Sequence, residues 1–462
     1  MKDLKSKIYE SYTLTILITY LAHYKDFKKT YDFLKKSQWW NTEEIQEYQW
    51  SKFKEIIEHC YYHVPYYQNL FNQIGLTPDD IRSLKDLQKI PLLTKEIMQN
   101  NTERLKATNY PEYKFEYATT GGTTGTPIGI YCERFVRIAK QMAYFQMMTE
   151  RIGCSIKDKS VEIRSHIFPS KKGKFWKRSL FGRRLLLSPF HINEKTLPKY
   201  IEKIKQFKPK YIFSYPSSIS AIAAFMRHQK VSPFSSLRGV ICMGETLYDW
   251  QQDLIRQVLR CNVLGYYGHA EQSLAAGMCE KSNYYHIFPD FGIIELVDSK
   301  GKEISAEDRE GEIVVTGLSN PLFPCIRYKT EDFGIYAKEK CACGRESPRL
   351  KYIIGRSQEY VVTSDDRRIP IAALNMHIDV FDNVRQFQFY QEKRGEVILR
   401  IVKLDSYTDK DTAYIKRELT KKLGNVCSIC IDFVENIPTT DRGKHAYLIQ
   451  KIPVENNFCK WV

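Results

Sequence analysis

Apolar positions at helical spacing mark the first readable element. Ile45, Tyr48, Phe53, Ile56 and Ile57 predict a helix from about Glu43 to Cys60, inside a largely helical stretch over residues 9–69. Pro65 lacks an N–H and disfavours helix at His63 and Val64, so the chain breaks at His63-Val64-Pro65-Tyr66. Beyond Tyr117 the pattern alternates between short buried runs and amphipathic ones. Leu197 to Phe207 and Ser220 to His228 read as helices, and Ile212-Phe213, Gly239 to Met243 and Asn262 to Gly265 as strands. That alternation predicts a largely α/β domain. Residues 291–336 change character: Gly292 to Val297 and Glu312 to Thr316 read as strands across a polar connection, a β-rich subregion. Past Gly355 the pattern gives a strand Glu359 to Thr363 and a helix-like stretch from Ala372 into Phe381. Strands near Phe387 and over Val397 to Val402 follow, then a helix Asp409 to Leu423 and a strand Val426 to Val434. Ile415, Leu419 and Leu423 stand four apart on one face of that helix. The predicted organisation is a large α/β domain over 1–356 and a small α+β domain over 357–462.

Composition narrows the class. The chain has 462 residues, 43% hydrophobic and 27% charged, enough to bury a core without disulfide staples. No run approaches the ~18 consecutive apolar residues of a membrane span. The charged start and the short, polar Leu14 to His23 stretch give no secretory signal, so a cytoplasmic protein is expected. Twelve dispersed cysteines then read as free thiols. The net charge of +16 is partly local: between Ile163 and Asn193 there is no acid, and Phe175, Trp176, Leu180 and Phe181 interleave with the basic residues. Such a segment suits phosphorylated substrates or, through 171–184, peripheral contact with the inner face of an anionic membrane. Equally, it suits a solvated loop. No zinc-finger, helix-turn-helix or RRM signature accompanies it, so no nucleic-acid partner is expected.

The chemistry-bearing segments come in a fixed order. Gly121, Gly122, Thr123, Thr124, Gly125 and Thr126 form a turn whose backbone N–H groups and hydroxyls suit phosphate oxygens, although it lacks the Walker A lysine. Gly244-Glu245 follows one buried strand and Gly265-Tyr266-Tyr267-Gly268-His269-Ala270-Glu271 another. Arg327 to Asp332, Gly355-Arg356 and Pro438 to Lys444 complete the series. Any one of these is only a turn. Six in this order, with His63-Val64-Pro65-Tyr66-Tyr67 before them, resemble the acyl- and aryl-adenylate-forming superfamily. The likeness is greatest to its phenylacetate-CoA ligase-like branch with the capsule-biosynthesis CapK-like members.

The resemblance implies an adenylating domain followed by a small mobile domain, with ATP and Mg²⁺ used to activate a small carboxylic acid. It assigns Gly121 to Thr126 to the phosphates, Gly244 and Glu245 to the adenine and acyl pocket, and Tyr267, in the motif with Gly268, to stacking near adenine. Glu271 holds Mg²⁺, Asp332 grips the ribose, Arg356 lies near the nucleotide, and Lys444 bridges acid and α-phosphate. His269, inside the motif with Tyr267 and Gly268, would either bind the acid directly or support a neighbouring residue that does. The chemistry agrees, because a carboxylate attacking a phosphate brings two anions together and needs cations where charge builds up. This chain departs from the family at Thr126, where a lysine is usual, and at Glu331, where a glycine is. Gln358 or Glu359 replaces a hinge aspartate, and Asp365 to Arg368 replaces a glycine turn. Those last changes weaken the expectation of CoA more than that of adenylation. The acceptor stays open between CoA and an amino-sugar or sugar. Surface-polysaccharide biosynthesis is the leading setting. A conventional aryl-CoA ligase and a degenerate nucleotide-binding scaffold are the alternatives.

Cys279, His286, Cys341 and Cys343 form a second constellation, three thiols and an imidazole suited to structural Zn²⁺. Some phenylacetate-CoA ligase-like proteins carry a comparable cluster. Unpaired thiols and a surface histidine are the other reading. Cys427-x-x-Cys430 falls in a strand and is expected to be packing rather than a redox pair. The aromatic N-terminal region is a candidate homodimer surface.

Overall fold

The computed structural model describes residues 23–119, 128–164, 166, 175–179, 181–304, 309–356, 360–365, 367–371, 374, 378–440 and 443–452. These fall into two compact units. One takes its described residues from 156–265 and 354–462, the other from 7–155 and 266–353.

The first unit is built on parallel strands. Gly239–Met243, Tyr211–Ser214, Ser160–Ile163 and Arg184–Leu187 lie side by side in that order, and Trp176–Arg178 adds an antiparallel edge. Val161, Ile163, Ile212, Val240 and Cys242 send one face into a core with the helices Leu197–Phe207, Pro216–His228 and Asp249–Leu259. Parallel strands need such crossover helices, which is why apolar runs and amphipathic stretches alternate in the sequence. Of the basic segment, Phe175 is buried and Trp176 packs against this core, while Phe181 is exposed. Residues 167–174 and Leu180 lie outside the described residues.

The same unit holds a four-stranded sheet in the order Ser428–Phe433, Glu396–Lys403, Val384–Lys393, Leu448–Gln450. The helix Asp409–Leu423 covers it and buries Ile415, Leu419 and Leu423 as their spacing predicts. Of the helix expected over Ala372 to Phe381, residues 372, 373 and 375–377 lie outside the described residues. Ile371 and Leu374 are in turns and Ile378–Phe381 is a 3₁₀ turn. Leu374 and Val380 are buried, and Phe381 stacks on Phe387 with centroids 4.1 Å apart. Cys427 is buried and Cys430 exposed, as strand packing requires.

The second unit combines helices Tyr24–Ser37, Thr42–His63, Pro65–Ile74 and Val136–Arg151 with antiparallel strands. Asn41 caps the second helix in a reciprocal box with Glu44, and Pro65 starts the third at a position where no N–H is needed. Gly292–Val297 pairs with Glu310–Gly317, which pairs with Tyr328–Tyr336, confirming the β-rich subregion. Ala275–Met278 and Tyr285–Ile287 pair antiparallel. The strand expected to stop at Gly265 runs Asn262–Gly268, because Tyr266, Tyr267 and Gly268 pair with Gly277, Ala276 and Ala275.

Candidate active site

In the first unit the predicted Gly244, Glu245 and Lys444 come together. Gly244 follows the Gly239–Met243 strand with φ +89°, and a Cβ there would stand 3.0 Å from the Tyr215 ring and 3.7 Å from Lys444 Cε. Only glycine suits both constraints. Gly443 has φ +74°, and a Cβ on it would meet Pro189 at 2.6 Å. The Lys444 Nζ lies 5.9 Å from the Tyr215 ring centroid. Glu245 Oε2 accepts from Ser217 N at 3.0 Å; Oε1 accepts from Ser217 Oγ at 2.9 Å and from His445 N at 3.0 Å. Burial raises the Glu245 carboxyl above its usual range, held back by those bonds and by the charge of Lys444. His445 Nε2 is 2.9 Å from the Phe387 carbonyl. Beside this turn lies a cavity of about 410 Å³ whose lining includes Phe190, Ser217, Trp250, Phe387 and His445. Ser217 and His445 were not singled out in the sequence; the Ser after Pro216 at a helix start was the available signal.

In the second unit Tyr267, His269, Glu271 and Asp332 gather. The Tyr267 hydroxyl donates to Asp332 Oδ2 at 2.7 Å, and His269 Nε2 is 2.5 Å from that hydroxyl and 3.4 Å from Asp332 Oδ2. His269 Nδ1 is buried without a hydrogen-bond partner among the described residues. Burial, then the Asp332 charge, pushes the Tyr267 phenol up, so it stays a neutral donor. Glu271 accepts from the Tyr328 hydroxyl at 3.1 Å through Oε1. Gly268 ends its strand and a Cβ would meet nothing closer than 3.7 Å, so no steric demand for glycine acts there. Arg327 of the motif is structural: buried, it pairs with Glu295 through Nε at 3.1 Å and Nη2 at 2.9 Å. Gly121 to Thr126 lie outside the described residues, and so does the side chain of Arg356, whose backbone ends the strand Arg349–Arg356.

The four predicted metal ligands also converge in the second unit, with ligand atoms all within 4.8 Å of one another. Cys279 Sγ and Cys341 Sγ are 3.6 Å apart, and Cys343 Sγ and His286 Nε2 3.5 Å. Tetrahedral ligands on one Zn²⁺ stand about 3.5–3.8 Å from each other, so the donor set fits that ion. Backbone N–H groups two residues on donate to two of the sulfurs, Lys281 N to Cys279 at 3.3 Å and Arg345 N to Cys343 at 3.4 Å. Ser347 Oγ lies 3.1 Å from His286 Nδ1, which turns Nε2 toward the sulfurs. Burial, with Arg151, Arg345 and Arg349 nearby, lowers the imidazole to about 3 and keeps it neutral.

Comparison with known proteins agrees with this geometry. The model of the AMP-binding enzymes matches residues 117–320, and that of the CapK C-terminal domain matches residues 361–451. Protein CapK of Staphylococcus aureus is 24% identical over 88% of this chain and 90% of its own length. Phenylacetate-coenzyme A ligase of Thermus thermophilus is 23% identical over 76% of this chain and 79% of its own. The structure of 2-hydroxyisobutyryl-CoA ligase in the postadenylation state superposes with a TM-score of 0.71 at 17% identity, covering 90% of this chain and 91% of that one, which shows the shared fold. The two family models and these relatives support an adenylate-forming ligase similar to CapK and the phenylacetate-CoA ligases. Among the described residues no helix is long and apolar enough to cross a membrane.

Proposed function

We propose that the protein uses ATP and Mg²⁺ to activate a small carboxylic acid, releases pyrophosphate, and passes the acyl group to an amino-sugar or sugar acceptor in surface-polysaccharide biosynthesis. The observation that carries this is the seating of Lys444: its turn is fixed by Glu245 and Gly443 at the carboxyl ends of parallel strands, where such sheets bind ligands. There the ammonium offsets charge building up as carboxylate meets α-phosphate. Gly121 to Thr126 receive the phosphates, Asp332 with Tyr267 the ribose and adenine, and His269 the acid. Arg356 lies near the nucleotide. Glu271 holds Mg²⁺, which draws charge from the phosphate oxygens. Residues 357–462 act as the mobile part that delivers Lys444, a reading supported by the separate CapK C-terminal match. The cavity beside the lysine turn gives room for an acceptor.

Cys279, His286, Cys341 and Cys343 hold a structural Zn²⁺ in this reading, since four protein ligands leave no open position. The second reading, an aryl-CoA ligase, is favoured by the phenylacetate-CoA ligase relatives.

The test is acid-dependent pyrophosphate–ATP exchange over an acid panel, followed by discharge of preformed adenylate with CoA or with amino sugars. Exchange with at least one acid, and discharge by an amino sugar, is the expected result. No exchange with any acid refutes adenylation. Discharge by CoA alone at ordinary turnover, ~1–10³ per second, refutes the sugar acceptor.

A further inference from the structure

Three adjacent parallel strands of the first unit end together. Ile163 is in register with Ser214, and Ser214 with Cys242, so Arg164, Tyr215 and Met243 follow at one end of the strands, with Gly244 next. Glu162 pairs with Phe213, and by strand alternation Glu162, Arg164, Phe213 and Tyr215 share the side opposite the core residues Val161, Ile163 and Ile212. The Arg164 guanidinium lies 4.3 Å from the Phe213 ring centroid and 5.9 Å from that of Tyr215. Lys444 Nζ is also 5.9 Å from the Tyr215 centroid. Two cations thus flank one ring, within twice that distance of each other.

Arg164 is not used up by its surroundings. Its Nε is shielded from solvent and has no hydrogen-bond partner among the described residues. Burial would raise the nearby Glu162 carboxyl, but His166, then Arg164 and Arg184, outweigh it and hold it down to about 2. One carboxylate therefore faces three basic groups, His166 lying 3.3 Å from it. The other local acid, Glu245, is occupied by Ser217 and His445. A guanidinium with a spare donor, held on aromatic faces, matches a planar anion better than a neutral group.

We propose that Arg164 receives a second anionic group on the acid, so that the substrate is a compact dicarboxylate whose other carboxylate goes to Lys444. This rests on the adenylation role given to Lys444 above. A monocarboxylate leaves Arg164 without its anion, and a long apolar acid meets a cation where it needs a greasy wall.

Matched acids differing only in a terminal carboxylate test it, butyrate against succinate and valerate against glutarate, by pyrophosphate–ATP exchange and by calorimetric titration. In the unaltered protein the diacid of a pair is expected to show at least tenfold higher kcat/KM and tighter binding. Arg164→Gln should shrink that preference at least tenfold, mainly through KM, and Arg164→Lys should restore part of it. Preference for the monoacid in both pairs, or equal losses for both acids in Arg164→Gln, overturns the proposal. The titration separates it from adenylation itself. Diacid binding that depends on Arg164 without exchange keeps the anion site and rejects adenylation, whereas exchange with no diacid preference does the reverse.

Discussion

One carboxylate oxygen of Glu245 takes the backbone N–H of His445 at 3.0 Å, so a residue at the end of a parallel strand grips the chain directly after Lys444. The same carboxylate holds both the N–H and the hydroxyl of Ser217, at the start of the helix Pro216–His228. Glu245 is therefore an anchor for the lysine turn. Hydrogen bonds to a charged group are worth ~1.5–3 kcal/mol, and loss of the anchor lets the ammonium wander. Glu245→Ala is expected to lower pyrophosphate–ATP exchange at least tenfold, with nucleotide binding changed less. Exchange at the unaltered rate in a folded Glu245→Ala protein would show that the lysine turn holds itself.

Lys444→Ala is expected to lower adenylate formation at least a hundredfold while nucleotide affinity stays within a few-fold. A charge positioned for the transition state is worth ~2.7–4 kcal/mol in comparable sites. Exchange kinetics and a nucleotide titration on the same preparation decide it. Near-normal exchange removes Lys444 from the chemistry, and an equal loss in binding makes it a ground-state contact.

Elemental analysis of protein purified without added metal should find about one zinc per chain. The sulfur and nitrogen spacings and the two N–H···S bonds are those of sulfur and imidazole ligands already turned inward. Cys341→Ser/Cys343→Ser should lose the metal and part of the stability, and chelation should lower Tm more than it lowers exchange measured on the surviving folded protein. Zinc retained in the double variant, or no zinc in the unaltered protein, rejects the assignment.

How legible this was depends on range. The helices Leu197–Phe207 and Asp409–Leu423 and the strands Gly239–Met243 and Gly292–Val297 carry their burial in local periodicity, and their bounds agree with the pattern. The extension of Asn262–Gly268 was invisible because its partner strand, not its own composition, keeps Tyr266 and Tyr267 extended. Motif order singled out Lys444 and Asp332, and residue type the cysteine and histidine cluster. It could not show that Glu245 ties together Ser217 and His445, 28 and 200 residues away, nor that Arg164 and Lys444 share Tyr215. Arg327, read within a functional motif, proves to be the buried partner of Glu295.

Asp290 makes a stability prediction independent of catalysis. Its carboxylate accepts from the Tyr144 hydroxyl through Oδ2, while Oδ1 is buried with no partner among the described residues. Burial raises this carboxyl from 3.8 to about 6, against the opposing pull of the Tyr144 bond and of Lys140. A folded-state pKa above the unfolded one means that the native protein binds the extra proton. Stability from this group is then full below about pH 4 and is lost as pH rises through about 6. The loss is on the order of 3 kcal/mol, at ~1.4 kcal/mol per pKa unit. Asp290→Asn keeps an acceptor for Tyr144 and removes the charge. Urea unfolding of both proteins at pH 4.5 and pH 7.5 isolates the contribution, since every other titrating group is common to the pair. The variant is expected to gain on the unaltered protein by about 2 kcal/mol between those conditions. Parallel pH dependences for the two proteins would mean that Asp290 is ionised at little cost, with water or a cation at Oδ1 supplying the missing partner.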